Sequence, residues 1–283
     1  MVKYKSILNV MDKYVQKCTD YPKYQALKYF KEHMDDFQEE RYDSDPNRIP
    51  SPQGHFQRMQ EQLQEDVEYD AFEQATLEDY QTNSFIPLGY YLNGGIMPTT
   101  KNEMRQLGFT IRGYIQNEDG DFLYGDRADE KGVFVMPVNY YPDGRENGNH
   151  EYITLSMAEE DKYISSAIHK SPSLQQDTVL YSYRELPLDI KEGNHGVIKN
   201  YGSCSFNEHV CEDIRDNGEW VQGEKDKRYM CKIYAMKGTQ GVVLNERITD
   251  IPPWQSEWLL NKNQRYIVWS KNDDDMTAEI ILY

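Results

Sequence analysis

Six short runs of apolar, β-branched and aromatic residues fill the C-terminal part of the chain and constrain its fold more than any other feature. Gly, Asn and Pro residues separate the runs, as expected for strands joined by turns. The series predicts an antiparallel or mixed sheet, and helical patterns elsewhere make the whole an α+β protein. The runs are 178–183, 229–236, 241–244, 256–260, 265–269 and 277–283.

Two amphipathic stripes precede this region. Apolar residues recur every three or four positions from Ile7 to Cys18 and again from Tyr24 to Phe37, which is the spacing of one helix face. Prolines and a glycine then mark a linker near residues 46–54. We therefore expect residues 1–54 to form a helical N-terminal segment, which either packs on the main domain or docks a partner.

The main domain is expected at residues 55–283. Strand-like runs at 110–115 and 122–124 flank the turn sequence Glu118-Asp119-Gly120-Asp121. Residues 108–155 are therefore predicted to be a section of β-hairpins. A short helix is expected from 158 to 169.

Charge and composition exclude several classes of function. The net charge of −17 over 283 residues disfavours a nucleic-acid-binding face, which needs clustered basic residues. No segment has the roughly 18 to 20 consecutive apolar residues of a membrane span. The first fifteen residues carry four charges and no apolar run, so we expect no secretory signal and an intracellular protein.

The four cysteines do not indicate a disulfide framework in so long a chain. Cys204, His209, Cys211 and Cys231 lack the paired C-x-x-C spacing of a zinc site. Free thiols and no metal are therefore expected.

Three patterns carry candidate chemistry. Arg184 ends a strand-like run, Ser203 and Ser205 share one face of another, and Gln255 and Glu257 share one side of an extended segment. Each pattern alone is also typical of solvated surface residues. Their order along the chain makes them more informative together.

In this order, Arg184, Ser203-Cys204-Ser205 and Gln255-Ser256-Glu257 resemble the motifs of the mono-ADP-ribosyltransferase exoenzymes, in their Arg, Ser-Thr-Ser, Glu branch. The Gln-x-Glu turn is similar to that of the clostridial Rho-modifying exoenzymes. The resemblance covers residues 66–283, with Glu185 in place of the usual Gly and Cys204 in place of Thr. It implies an ADP-ribosyltransferase-like split β-sandwich with flanking helices, preceded by the helical N-terminal segment.

The resemblance also implies a mechanism, in which NAD is a substrate and no metal takes part. Arg184 would bind the pyrophosphate, and Glu257 would stabilise the positive charge that develops on the ribose. Ser203 and Ser205 would orient Glu257 and the ribose by hydrogen bonding. Further residues expected around NAD are Tyr183, Phe206, Arg215 and Trp220.

The partner implied is a target protein. Trp254 and Gln255 would recognise the acceptor side chain, and an amide at 255 favours asparagine or another non-arginine acceptor, because it cannot act as a base. The alternatives are an NAD glycohydrolase that uses the same site with water, and a catalytically inactive binding or structural protein.

Overall fold

The computed structural model describes residues 21–39, 67–109, 112–142, 149–187, 189–217, 228–244 and 257–283. The chain divides into two compact units. The first combines three stretches, Met1–Leu63, Pro172–Val243 and Pro253–Tyr283, and the second combines Gln64–Ser171 with Leu244–Pro252. The predicted boundary at residue 54 lies outside the described residues and stays a prediction.

The first unit is built on a sheet of eight described strands in the order β5-β10-β11-β7-β4-β6-β9-β8. Neighbouring strands are antiparallel except β7 and β11, which are parallel. The strands are β4 Thr178–Glu185, β5 His195–Ile198, β6 Gly202–Ser205, β7 Arg228–Ala235, β8 Gly241–Val243, β9 Glu257–Leu260, β10 Gln264–Asn272 and β11 Thr277–Leu282. All six predicted runs form strands, because their apolar residues are buried in the sheet.

Helix α1, Tyr21–His33, packs on this sheet. The side chain of Phe30 is fully buried in a cluster with Tyr234, and its ring lies edge-on to Trp269. Residue Gln38 then pairs in parallel with Thr178 at the start of β4. The second N-terminal stripe is therefore part of the core of the first unit, whereas the first stripe lies outside the described residues.

The second unit has four described α-helices, a short 3-10 helix at Gly125–Arg127 and a three-stranded antiparallel sheet. The helices are α2 Ala71–Asp79, α3 Phe85–Leu92, α4 Lys101–Gln106 and α5 Met157–Lys170, and a π-helical turn, Tyr80–Ser84, joins α2 to α3. The strands are β1 Tyr114–Gln116, β2 Val133–Tyr140 and β3 Glu151–Leu155.

Capping boxes explain where α2 and α5 begin. Asp70 caps α2 and Ser156 caps α5, and in each case a glutamate three residues on bonds back to the cap. The capping glutamate of α2, Glu73, is fully buried and also accepts hydrogen bonds from Ser166 and Lys170 of α5. The same side chain therefore starts one helix and fixes it to the other.

The hairpin turn predicted after β1 is present. Gly120 has φ of +89°, a conformation that a glycine adopts without strain, and Gln116 forms a bridge to Phe122. The α+β class is likewise confirmed by the observed elements. None of the described helices is long and apolar enough to cross a membrane.

Candidate functional site

Ser203 and Glu257 meet on the neighbouring strands β6 and β9. The strands are antiparallel, with Ser205 opposite Glu257 and Ser203 opposite Leu259. Since alternate residues share a face, Ser203 and Glu257 are diagonal neighbours. The hydroxyl of Ser203 donates a hydrogen bond of 2.7 Å to Oε1 of Glu257. The carboxylate is thus held at the start of β9, half-buried, beside an exposed hydroxyl.

Arg184, near the end of β4, is connected to the same place through Ser182. Its Nε donates to Oγ of Ser182 at 3.2 Å, and that hydroxyl donates to the backbone carbonyl of Ser203 at 2.8 Å. The predicted arginine, serine and glutamate therefore belong to one hydrogen-bonded series, in which the link is a serine that the sequence motifs did not single out.

Strands β4 and β6 separate at this point. Among the described residues, a single pair, Tyr181 and Ser205, joins the two strands in register. Beyond it, the Ser182 side chain bonds to the backbone of β6, and the guanidinium of Arg184 lies against Gly202. A Cβ placed on Gly202 would be 2.7 Å from Nη2 of Arg184.

Glu185, which replaces the usual glycine, is directed away from Arg184. Consecutive residues of a strand project from opposite faces, and Glu185 lies opposite Arg228 on β7. Its carboxylate is 3.5 Å from the Arg228 guanidinium. The acidic substitution is therefore compensated by a basic residue on the neighbouring strand.

Ser205 and Phe206 shape the end of β6. Ser205 is buried, and its hydroxyl accepts a hydrogen bond of 2.9 Å from the backbone N–H of Asn207. Phe206 is fully buried, and its ring packs edge-on against Trp258. In this structure both side chains stabilise the turn into helix α6, Glu208–Asn217, rather than line an open surface.

Cys204, which stands in place of threonine, points into the core. Burial raises the pKa of its thiol to about 11, so the thiol stays protonated at neutral pH. The substitution therefore leaves an uncharged side chain next to the Ser203–Glu257 pair.

The remaining predicted residues differ in their surroundings. Tyr183 is half-buried on the face of β4 opposite Arg184, and Arg228 lies 6.0 Å from its ring centroid. Arg215, in the last turn of α6, forms an ion pair of 2.7 Å with Asp216, and this hydrogen bond raises the pKa of Arg215. Trp220, Trp254 and Gln255 lie outside the described residues.

Metal ligands do not cluster in the part of the chain that the structure describes. His, Cys, Asp and Glu side chains there form no group of three that could hold a metal ion.

The chain is similar in part to several solved structures. The Vis toxin from Vibrio splendidus is 11% identical, with a TM-score of 0.47 over 81% of this chain and 82% of that one. A Clostridium botulinum protein of the C3 type is 12% identical, with a TM-score of 0.44 over 86% and 98%. These two are ADP-ribosyltransferases. The protein C3stau2 from S. aureus, solved with NAD, is 13% identical, with a TM-score of 0.47 over 87% and 99%.

No protein-family model and no curated protein sequence matches the chain.

Proposed function

We propose that the protein is a mono-ADP-ribosyltransferase, which transfers ADP-ribose from NAD to a side chain of a target protein. The observation that carries the proposal is the hydrogen bond between Ser203 and Glu257, linked to Arg184 through Ser182. It joins the three residue types that the motif resemblance requires, although they are separated by up to 73 positions in the chain, from 184 to 257.

The chemistry suits this pair. In the transfer, the bond between C1′ of the ribose and the nicotinamide nitrogen breaks, and its electron pair leaves with nicotinamide. A lone pair of the acceptor then forms a bond to C1′, and the acceptor loses a proton. The ribose passes through an oxocarbenium-like state, which a fixed carboxylate stabilises electrostatically. Glu257, held by Ser203, is assigned that role.

The residues present also fit the charge of NAD. Its pyrophosphate is anionic, and a planar guanidinium binds such a group with two parallel hydrogen bonds. Arg184 is half-buried at a strand end, where it can meet a ligand. Glu185, the acidic neighbour that would repel phosphate, is paired with Arg228.

For the acceptor we propose asparagine or another non-arginine side chain. The basis is the amide of Gln255, two residues before Glu257, since an amide can hydrogen-bond another amide but cannot remove a proton from a guanidinium. The variant Gln255→Glu is expected to change or abolish labelling of the target. Unchanged labelling would remove the role given to Gln255.

An NAD glycohydrolase is the second candidate. Ser203 is exposed and Glu257 is only half-buried, so water can reach the carboxylate and attack the same ribose carbon. The two reactions have different products, free ADP-ribose in one and labelled protein in the other.

One experiment separates these possibilities. The intact protein is incubated with NAD labelled in the adenylate phosphate, together with a cell lysate. Labelled protein that depends on Glu257 supports transfer, and free ADP-ribose alone supports hydrolysis. The variant Glu257→Gln is compared with Glu192→Gln, which changes a glutamate elsewhere in the first unit. Wild-type protein that forms neither product would exclude both enzymes.

A further inference from the structure

Ser182 is placed to hold the Arg184 side chain. The serine is 4% exposed, so its hydroxyl depends on protein partners. It has two of them: Oγ donates to the carbonyl of Ser203 and accepts from Nε of Arg184. A hydroxyl can do both at once. Alanine has no hydroxyl, so it would remove both the hydrogen bond from β4 to the backbone of β6 and the hydrogen bond to the Arg184 guanidinium.

Gly202 meets the same guanidinium from the neighbouring strand. Its φ does not lie in the left-handed region that favours glycine, so backbone conformation does not explain the residue. Space does explain it. A Cβ at this position would come within 2.7 Å of Nη2 of Arg184 and within 3.5 Å of Leu260. The first distance is well inside van der Waals contact, and the atom met is the far end of a flexible side chain, so an added methyl would displace the guanidinium from the space it now occupies.

We infer that Ser182 and Gly202 are positioning residues for the Arg184 guanidinium. They set its orientation, and how far it reaches between β4 and β6, for binding the pyrophosphate of NAD. This inference rests on the proposed function. An arginine side chain has several rotatable bonds, and fixing it before the ligand binds reduces the entropy lost on binding. Ser182 fixes Nε, and the surface of Gly202 fixes how far the Nη2 end lies between the strands.

A hydrogen bond to a charged group is the interaction removed by Ser182→Ala. We expect the KM for NAD to rise about tenfold or more, from the usual strength of such bonds, while kcat for nicotinamide release changes less. Ser182→Thr keeps the hydroxyl and should restore most of the affinity. A residue that only stabilised the fold would change the unfolding midpoint without this difference between KM and kcat.

Gly202→Ala tests the inference from the opposite strand. The added methyl should displace the guanidinium and raise the KM for NAD in the wild-type background. In an Arg184→Ala background the same substitution has no guanidinium to displace, so its effect on NAD binding should disappear. The same loss of effect is expected for Ser182→Ala, because residues that act through one group are not additive.

A direct observation of Arg184 is independent of activity. The Nε–H group of a held arginine exchanges slowly with water and gives a separate nitrogen–proton NMR signal, which Arg184→Lys assigns. We expect Ser182→Ala to broaden or remove this signal and Ser182→Thr to keep it. If Ser182→Ala fails to fold, Gly202→Ala provides the comparison.

The outcomes are distinct. The inference is overturned if Ser182→Ala and Gly202→Ala both keep the wild-type KM for NAD and the wild-type Arg184 signal. If the wild-type protein releases nicotinamide in the same experiments, the proposed function is unaffected. Effects that persist at equal size in the Arg184→Ala background overturn the inference as well. Wild-type protein that neither binds NAD nor releases nicotinamide overturns the proposed function. The inferred role of Ser182 and Gly202 in NAD binding is then overturned as well.

Discussion

Ser203 donates a 2.7 Å hydrogen bond to Glu257 from the adjacent strand, so the orientation of the carboxylate is set by the sheet itself. Both residues lie in regular strands whose described neighbours along the chain are buried. The geometry of the pair therefore depends on the register of β6 and β9. A site on strands is held more precisely than one on loops.

The first prediction concerns this pair. Glu257→Gln keeps the shape but removes the charge, so nicotinamide release should fall by about a hundredfold or more. Ser203→Ala should cost less, about tenfold, because the carboxylate remains and only its orientation is lost. Single-turnover release of nicotinamide measures both. Equal loss in the two variants would mean that Ser203 has a direct role on the substrate.

The second prediction concerns Glu185. Because its carboxylate is directed to Arg228, Glu185→Gln should change the KM for NAD by less than about threefold, and stability by less than about 1 kcal/mol, as for other exposed ion pairs. Arg184→Gln is the matched comparison on the other face of the strand and should raise KM strongly. A large fall in KM for Glu185→Gln would show that the carboxylate opposes the pyrophosphate.

The third prediction concerns the N-terminal helix. Phe30 is fully buried against the sheet, so Phe30→Ala should lower the free energy of unfolding by about 3 to 5 kcal/mol. Lys28→Ala changes an exposed residue of the same helix and should have an effect within about 0.5 kcal/mol. Urea unfolding gives both values. Similar small effects would mean that α1 is not part of the cooperative core.

The fourth prediction concerns pH. Burial, together with the charge of Asp79, raises the pKa of Glu160 well above its usual value. Below the pKa that the Glu160 carboxyl has in the unfolded chain, the folded and unfolded states both carry the proton, so the raised pKa does not lower stability. As pH rises above the unfolded-state pKa, the unfolded state releases the proton while the folded state keeps it, so stability falls.

The variant Glu160→Gln lacks this titration. Its stability relative to wild type should therefore increase as pH rises from about 4 to 8, as measured by urea unfolding across that range. Glu118→Gln, on an exposed turn, is the control for the loss of a glutamate charge. A constant difference for Glu160→Gln would contradict the prediction.

Patterns local in the chain were sufficient to predict most strands of the first unit. The predicted strand at 256–260 and the predicted helix at 158–169 are observed at Glu257–Leu260 and Met157–Lys170. Both have strong local signals, namely a run of buried apolar residues and a capping box. The π-helical turn at Tyr80–Ser84 was not predicted, because its residues follow α2 without a helix-breaking Gly or Pro.

The candidate site was only partly predictable, because some of its contacts depend on the pairing of strands that are distant in the chain. Arg184, Ser203 and Glu257 could be selected because a motif resemblance joined them. Ser182 and Gly202 could not, because their importance depends on how β4 and β6 separate after the pair Tyr181–Ser205, and strand pairing over such distances leaves little trace in one sequence. The contact between Arg184 and Gly202 becomes visible only in the structure.

The order in which the first unit is assembled follows from its three-part chain. Tyr29 in α1 is hydrogen-bonded to Asp177, 148 positions later, and the strands that cover Phe30 come later still. During synthesis, the apolar face of α1 therefore stays uncovered until the residues from 177 onwards have left the ribosome. This interval exposes the helix to chaperones and to wrong contacts, and the Ser203–Glu257 pair can form only after residue 257 has been synthesised.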